Sequence, residues 1–413
     1  MFKNYLLTAY KVFMRRKLFT AINLLCIVLT LVVLMVVTAM LENALFPSGV
    51  EGKSDRFLQV MVLRMESPDG KRTSTSPLGY RLIDKYLKPV KSAELVAAVT
   101  MPSTVSVYQG ERVTELQLRR ADANYWKILD FTLLAGRLPT ADDDEQGRFV
   151  MVINATSARK LFGAENAVDQ KISVSGQQFT VIGVVKDELH LNAYSELWAP
   201  ITTFPSSDYR EQMSGDFVAL LLARRSADLP LIQQEVKIAA SQVQTVDPQA
   251  WGKALFWADS KLEAFARLSI GDTDKEDSGG ALLLTMLATI MLVFMLLPAL
   301  NLVNLNTGRI LERSSEIGVR KAFGATSAQM VGQLIVENVL LCLVGGVIGL
   351  VCAAAVLAWI EASGLVPYLK VNMNFAVLAY GLLITMIFGL LSGVVPAWKM
   401  SRLDPVHALK GAI

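Results

Sequence analysis

Hydrophobic and polar positions are distributed along this chain in two different ways. Four long apolar runs each supply the roughly 20 helical residues that cross a bilayer. They predict membrane-spanning helices at 18–41, 279–308, 330–360 and 375–398. The segment between the first two runs, 42–278, has mixed polarity and predicts a separate folded unit.

Within 42–278, short β-like alternation is interspersed with helical periodicity. The strand-like runs are Phe57–Leu63, Glu94–Val99, Val113–Leu118, Phe149–Ile153 and Phe179–Val185, and the helix-like runs are Leu78–Leu87, Asn124–Leu129, Thr156–Phe162 and Leu231–Val243. Gly163 is expected to end the third helix, and Gln109-Gly110 and Ser175-Gly176 are expected to form hairpin turns. The predicted fold class is therefore a four-helix membrane protein with a large extracytoplasmic α+β domain between helices 1 and 2.

Charges next to the apolar runs predict the topology. Five Lys or Arg residues precede the first run, and Arg309, Arg313, Arg320 and Lys321 lie between the second and third. The link 361–374 carries only Lys370, whereas the tail 399–413 is basic. By the positive-inside rule both termini are cytoplasmic, and 42–278 is exported.

The residues before the first run predict an amphipathic helix over 1–17. Phe2, Leu6, Tyr10 and Phe13 share one helical face, which favours a helix lying on the inner leaflet. A plain cytosolic extension of the first span is the alternative.

Composition agrees with a membrane protein. The chain is 53% hydrophobic and only 19% charged, and its mean hydropathy is +0.41. A purely soluble protein is therefore not expected, and a net charge of +3 does not indicate nucleic-acid binding.

Residues suited to metal binding or catalysis are sparse. The three cysteines all fall in apolar runs, so 42–278 cannot form an internal disulfide. His190 and His407 are expected at the surface or as helix caps, and Leu138–Gly147 is expected to be an exposed acidic loop. We therefore expect no metal site, no directly bound cofactor and no catalytic residue.

Several stretches resemble the MacB and FtsX-like ABC transporter permeases. The cytoplasmic stretch Asn304–Asn338, with Glu316-Ile-Gly-Val-Arg-Lys-Ala-Phe-Gly-Ala325 at its centre, is similar to the signature of that family. The C-terminal stretch Pro396–Leu409 is similar to the family's end. Five stretches of the central segment resemble its periplasmic core domain: Ala123-Asn124-Tyr125, Leu134-Ala-Gly136-Arg137, Val152-Ile-Asn154, Lys160-Leu-Phe162-Gly163 and Thr180-Val-Ile-Gly183-Val-Val185.

The resemblance implies a non-catalytic subunit of the bacterial inner membrane that works as a dimer, either with itself or with a related permease. It implies that the region 309–329 binds a cytoplasmic ABC ATPase, which uses ATP and Mg²⁺, and that the motion is passed to the exported domain. It also implies a porter part with an inserted, β-rich sabre-like part, placed here at about 132–214. A periplasmic adaptor and an outer-membrane channel are further partners that this family suggests. The candidate ATPase contacts are Glu316, Gly318, Arg320, Lys321, Gly324 and Ala325.

The chain differs from MacB, which carries its ATPase domain ahead of the first span. No Gly-rich phosphate-binding pattern of the P-loop type occurs in the sequence. We therefore expect the ATPase to be a separate chain.

Small and polar residues in the apolar runs suggest where helices pack. Gly345, Gly349 and Ala353 recur at intervals of four, as do Gly389 and Gly393, which is typical of close helix contacts within or between subunits. Pro298 with Asn301 suggests a kink, either structural or involved in gating. Glu337 is expected at the start of the third span, in an interfacial structural role.

Three functions are compatible with the resemblance. The first is efflux or extrusion of a substrate by mechanotransmission. The second is lipoprotein extraction resembling LolC or LolE. The third is FtsX-like regulation of an exported enzyme, although the length of 42–278 argues against close equivalence with FtsX.

Overall fold

The structure is a computed structural model. It describes residues 2–15, 17–45, 49–109, 112–163, 167–245, 247–270, 276–312, 319, 323, 326–363, and 379, 380, 383, 386, 387 and 390. Among these, the residues up to Glu42 and from Leu284 onward form a helical unit, and those from Asn43 to Leu283 form a central unit. The two units are described separately below.

The helices and strands are numbered in chain order. The helices are α1 (Phe2–Arg15), α2 (Lys17–Leu45), α3 (Tyr80–Leu82, continued by a π-helical turn at Ile83–Leu87), α4 (Tyr125–Ile128), α5 (Ala141–Glu145), α6 (Ala155–Phe162), α7 (Leu229–Ser241), α8 (Lys261–Ile270), α9 (Gly280–Glu312) and α10 (Ser327–Ser363). The strands are β1 (Phe57–Val60), β2 (Leu63–Glu66), β3 (Thr73–Ser76), β4 (Ala93–Thr100), β5 (Ser103–Gln109), β6 (Arg112–Ala121), β7 (Leu133–Gly136), β8 (Val150–Asn154), β9 (Lys171–Val174), β10 (Gln177–Val185), β11 (Leu197–Pro200), β12 (Phe217–Ala223) and β13 (Lys253–Phe256).

The helical unit contains the apolar helices. Two helical stretches among the described residues, Thr20–Leu41 of α2 and Ile335–Ser363 of α10, are long and apolar enough to cross a membrane. A shorter apolar stretch, Gly280–Phe294, begins α9.

The first part of the central unit is an antiparallel sheet in the order β1-β12-β4, to which β6 adds at its C-terminal end. Every residue of β12 is buried. Since side chains alternate between the faces of a strand, Ala219 and Leu221 enter one core with α3 and α7. Val218 and Leu220 enter a second core with α4 and Ala264 of α8. The sheet is therefore covered on both faces.

The second part is a closed ring of strands. β6, β11, β8, β10, β9 and β5 pair in sequence, and β5 pairs back with β6. A separate core fills the ring, with Met151, Ile153, Phe179 and Val181 fully buried. Because β6 belongs to both the ring and the sheet, the two parts share one strand. The predicted insertion at 132–214 contains β8 to β11, whereas β5 and β6 come earlier in the chain.

The strand-like and helix-like runs predicted within 42–278 fall on observed elements, whereas most of the fourth apolar run, 375–398, lies outside the described residues. Phe57–Leu63 differs because the chain breaks it into β1 and the start of β2, in two different sheets. Asn154 caps α6 through its side chain, and Gly163 ends that helix with a left-handed φ of 69°. Ser175 and Gly176, both with positive φ, turn the β9–β10 hairpin.

Two expectations for the central unit are wrong. The acidic stretch is not an exposed loop, because it forms α5 and buries Asp143. The Asp143 carboxylate accepts from Arg137 Nη2 at 2.9 Å and from Thr140 N at 2.9 Å, and Arg148 lies 3.3 Å away. His190 is also buried, with Nδ1 3.3 Å from Glu188 Oε2.

Candidate coupling site

The structure describes none of the six residues predicted to contact an ATPase. Glu316, Gly318, Arg320, Lys321, Gly324 and Ala325 lie outside the described residues, as do Gly389, Gly393 and His407. Pro298 and Asn301 lie within the continuous helix α9, and their side chains are outside the description. The site is therefore built from the remaining candidates and from what the structure adds.

The glycines of α10 lie against α2. A Cβ placed on Gly345 would be 2.7 Å from Ile27 Cγ2, and one on Gly349 would be 3.1 Å from Leu31 Cβ. Ile27 and Leu31 form a small core with Leu341 and Cys342, and Ala353 is fully buried one turn further along. Small residues thus let two apolar helices of this chain approach closely.

The register of this contact gives the helix direction. Ile27 meets Gly345, and Leu31, four residues later, meets Gly349, also four residues later. Because both numbers rise together, α2 and α10 run parallel.

Glu337 lies near the start of the third apolar stretch, Ile335–Ser363, as expected, but not at the N-terminus of its helix. α10 already begins at Ser327, so Glu337 lies in its third turn, 2% exposed, and accepts a hydrogen bond from Gln333 Nε2 at 3.0 Å. The adjacent Asn338 and Asn23 of α2 are also buried. Polar side chains therefore lie inside the helical unit near its Gly345 contact.

In the central unit, a buried ion pair joins the segment after α2 to the helix before α9. Glu51 follows α2 in a short 3₁₀ turn at Gly49–Glu51, and Lys261 is the first residue of α8. Lys261 Nζ lies 2.8 Å from Glu51 Oε2, and the two side chains are 4% and 0% exposed. Such a pair is held tightly because neither charge has access to water.

The other carboxylate oxygen of Glu51 binds a loop of the ring. We call residues 186–196, between β10 and β11, the connecting loop. The backbone N–H of Asn192 donates to Glu51 Oε1 at 2.9 Å, and Tyr125 Oη donates to the carbonyl of Asn192 at 2.8 Å. Glu51 therefore contacts α8 and the connecting loop at once.

Arg119, on the shared strand β6, fixes the same loop. Its guanidinium donates to the carbonyls of Tyr194 at 2.7 Å, Leu191 at 2.8 Å and Thr100 at 3.0 Å. Burial lowers the pKa of Arg119, whereas the nearby Tyr125 and Glu51 act to raise it. We call the cluster of Glu51, Lys261, Arg119, Tyr125 and Asn192 the junction.

Asp122 is a buried carboxylate of a different kind. Its two oxygens accept backbone N–H groups, from Ala98 at 2.8 Å and from Tyr125 at 3.1 Å. Burial raises its pKa to about 6 despite these hydrogen bonds. Asp122 shapes the turn into α4 that contains Ala123-Asn124-Tyr125, one of the stretches that carry the family resemblance.

A second buried pair and a cleft lie further along α8. Arg267 Nε donates to Asp259 Oδ2 at 2.7 Å, and its guanidinium lies 4.7 Å from the Trp257 ring centre. A cleft of about 320 Å³ opens beside this pair, lined by Trp257, Asp259 and residues of α7. Among the described residues, no group of three or more His, Cys, Asp or Glu side chains is placed to hold a metal ion.

Two close glycines explain another pair of stretches that carry the resemblance. Gly136 of β7 lies opposite Gly183 of β10. A Cβ on Gly136 would fall 2.2 Å from the carbonyl oxygen of Ile182, and one on Gly183 would fall 2.3 Å from that of Arg137. Only glycine fits at either position without moving backbone.

Sequence reasoning missed Glu51 and Lys261. Both are charged residues in segments without strong periodicity, and they are far apart in the chain. Charges seldom occur fully buried unless they are paired, but the burial of these two side chains becomes visible only in the structure.

Comparison with known proteins identifies the family. Residues 20–239 match the MacB-like periplasmic core domain, and residues 288–405 match the FtsX-like permease C-terminal domain. The chain belongs to the MacB-like and FtsX-like family of ABC transporter permeases, as its resemblances suggested.

The relatives include proteins named as permeases and proteins named as ATP-binding/permease proteins. The chain is 27% identical over 328 residues to the uncharacterized ABC transporter permease YknZ of Bacillus subtilis, covering 79% of this chain and 77% of that protein. It is 25% identical over 311 residues to the macrolide export ATP-binding/permease protein MacB of Mannheimia succiniciproducens, covering 74% of this chain and 45% of that protein. The crystal structure of the periplasmic region of MacB from Actinobacillus actinomycetemcomitans aligns with a TM-score of 0.39 at 17% identity, covering 55% of this chain and 98% of that one.

Proposed function

We propose that this chain is the membrane subunit of a MacB-like transporter, and that it passes the motion of a separate ABC ATPase to an exported domain. ATP and Mg²⁺ bind the ATPase partner, and the motion drives extrusion of a substrate from the far side of the inner membrane. The permease works as a dimer, either with itself or with a related permease. A periplasmic adaptor and an outer-membrane channel would complete the path where the cell envelope has them.

The observation that carries the proposal is the parallel contact between α2 and α10. Two parallel spans enter the membrane from the same side, so the chain must return across the membrane between them. α9 supplies that return, since it is helical from Gly280 to Glu312 and starts with an apolar stretch. The central unit, which lies between α2 and α9 in the chain, then falls on the side opposite the N-terminus.

Charge supports the same orientation. Lys11, Arg15 and Lys17 precede the apolar part of α2, and Arg309 and Arg313 follow that of α9. Together with a fourth span at 375–398, this arrangement puts both termini in the cytoplasm. The region 309–329 is then on the side where an ATPase acts.

The test is affinity purification of the tagged chain from native membranes in mild detergent, with mass spectrometry and an ATPase assay. We expect an ABC ATPase to co-purify with the wild type. Glu316→Ala and Gly324→Leu should lower its yield or stimulation at least fivefold. Lys410→Ala, which removes a charge from the tail on the same predicted side, is the matched control and should change neither. Failure of an ATPase to co-purify in several detergents would contradict the proposal, and unchanged coupling in both variants would contradict the assigned contact.

A further inference from the structure

Three segments of the central unit meet at one carboxylate. Glu51 is placed six positions after the last residue of α2, Leu45, by a short 3₁₀ turn. Lys261 starts α8, whose last residue, Ile270, precedes α9 by a short segment. Asn192 belongs to the connecting loop of the ring. The chain entering from α2, the chain leaving towards α9 and the ring are therefore joined at Glu51.

The two oxygens of Glu51 hold different segments. Oε2 pairs with Lys261 Nζ at 2.8 Å, and Oε1 accepts a hydrogen bond from the backbone N–H of Asn192 at 2.9 Å. Because the carboxylate is rigid and planar, a shift of the segment after α2 moves both contacts together. Water cannot take the place of either contact, because Glu51 and Lys261 are both buried.

The connecting loop is hydrogen-bonded to β6, the strand that the ring shares with the sheet. Ser195 Oγ donates to the backbone carbonyl of Gln117 at 2.9 Å, and the backbone N–H of Gln117 donates to Glu196 Oε2 at 2.8 Å. Gln117 lies on β6, next to Leu116 and Leu118, whose side chains fill the ring core. Displacement of the loop at Asn192 is thus transmitted to the wall of the ring.

We propose that Glu51 and Lys261 are positioning residues that pass the movement of the two membrane-linked segments to the ring through the connecting loop. This inference rests on the proposed function, because it names the route by which ATPase-driven motion reaches the exported unit. Both residues are assigned a positioning role only, and they act through the connecting loop.

The chain offers a matched control close to Glu51. Lys53 Nζ lies 2.6 Å from Asp130 Oδ1, but the two side chains are 32% and 52% exposed. This pair joins the same segment to the end of α4 without contacting the connecting loop. Its removal should leave transmission intact.

The experiment measures amide hydrogen exchange by mass spectrometry in the complex with its co-purified ATPase, without nucleotide and with ATP, Mg²⁺ and vanadate. The variants are the double substitution Glu51→Leu with Lys261→Met, which removes the pair without leaving a buried unpaired charge, and the control Lys53→Met. In the wild type and in Lys53→Met, we expect a nucleotide-dependent change of at least threefold in exchange at residues 186–196. In the double variant that change should disappear while the change in α8 remains. A merely structural role would alter basal exchange but keep the nucleotide-dependent change, and that result would overturn the inference.

A second arm separates this inference from the proposed function. In the full chain without ATPase, Glu51→Gln should raise exchange of the Asn192 amide and of the first turn of α8 together, by tenfold or more. If no ATPase co-purifies with the wild type, the proposed function fails, and this arm still decides whether Glu51 joins the two segments. Exchange that rises in only one of the two segments, or in neither, would contradict the inference that Glu51 joins them.

Discussion

The middle of α2 and the segment just beyond its last residue are held by different kinds of interaction. Inside the helical unit, Ile27 and Leu31 pack against Gly345 and Gly349 of α10, and the contact depends on shape. Just beyond α2, Glu51 is held by a buried charge and a backbone N–H. A small-residue contact resists separation but tolerates some sliding, whereas a buried ion pair with a shared carboxylate fixes both distance and direction.

The difference matters for a subunit that transmits motion. Helices in lipid gain little from burying apolar surface against one another, so close packing and hydrogen bonds between buried polar groups must hold them. In the central unit, burying a polar or charged group costs free energy unless the group is paired. The helix contact in lipid therefore suits helices that shift relative to each other. The buried ion pair of the central unit suits a segment that must move together with its partners.

The largest effect should come from breaking the charge pair at one partner. Glu51→Gln leaves the Lys261 ammonium buried without a counter-charge, and we expect a loss of about 3–5 kcal/mol in the free energy of unfolding of the central unit. Urea unfolding of the full chain in detergent, followed by the fluorescence of the buried Trp126 and Trp198, measures it. The double substitution Glu51→Leu with Lys261→Met should recover most of the loss. A double variant as unstable as Glu51→Gln would show that side-chain packing, not the ion pair, holds the segment after α2.

Asp122 tests what a buried carboxylate does without a cation. Its pKa in the folded state, about 6, is above the ordinary 3.8, so the folded state binds the proton more tightly than the unfolded state. The stabilisation from this group is therefore full below about pH 4 and is lost as the pH rises through about 6, a change of roughly 3 kcal/mol.

Asp122→Asn should abolish the pH dependence that Asp122 gives to the free energy of unfolding. The variant should also lose one backbone hydrogen bond, which lowers its stability by the same amount at every pH. Urea unfolding of the full chain at a series of pH values between 4 and 7 measures it. The stability of the variant relative to the wild type should rise over this interval and then level off. A pH-independent difference would mean that Asp122 is ionised throughout.

The α2–α10 contact should respond to size rather than charge. Gly345→Ala places a methyl group 2.7 Å from Ile27 Cγ2, and overpacking of this kind costs about 1–3 kcal/mol. Gly349→Ala, at 3.1 Å from Leu31, should cost less. Labelling of the buried Cys342 thiol by a maleimide, located by mass spectrometry, should be faster in Gly345→Ala. Ile27→Ala combined with Gly345→Ala should slow it again, and equal rates in all variants would place the contact elsewhere.

The smallest effect should come from the exposed pair beside Glu51. Lys53→Met removes an ion pair that water already screens, so the free energy of unfolding should fall by no more than about 1 kcal/mol. The same urea titration measures it. A loss as large as that of Glu51→Gln would show that proximity to α2, rather than burial, determines the strength of this region.

Local patterns in the sequence predict much of the central unit. The apolar, β-branched run Phe179–Val185 predicts β10, and Gly163 after Thr156–Phe162 predicts the end of α6, because both signals depend on neighbours in the chain. The long apolar runs likewise predict α2 and α10. Gly345 and Gly349 are found by their spacing, although spacing alone does not reveal that their neighbour is α2.

Long-range pairing is what the sequence leaves open. Asp143 belongs to a run of acidic residues that predicts a solvent-exposed loop. Only the fold brings Arg137 and Arg148 close to its carboxylate. Glu51 and Lys261 meet because α8 packs against the sheet of which β1, shortly after Glu51 in the chain, is a strand, and no local pattern encodes that packing. Closure of the ring, in which β5 pairs with both β6 and β9, is equally non-local.

The central claim is that ATP acting on a partner changes the exported unit through this chain. Hydrogen exchange across the whole wild-type complex, compared without nucleotide and with ATP, Mg²⁺ and vanadate, tests it most directly. We predict changes in both units, with those of the central unit concentrated at residues 186–196 and along the ring strand β6. Changes confined to the helical unit, with the central unit unaltered while ATP is hydrolysed, would contradict the account.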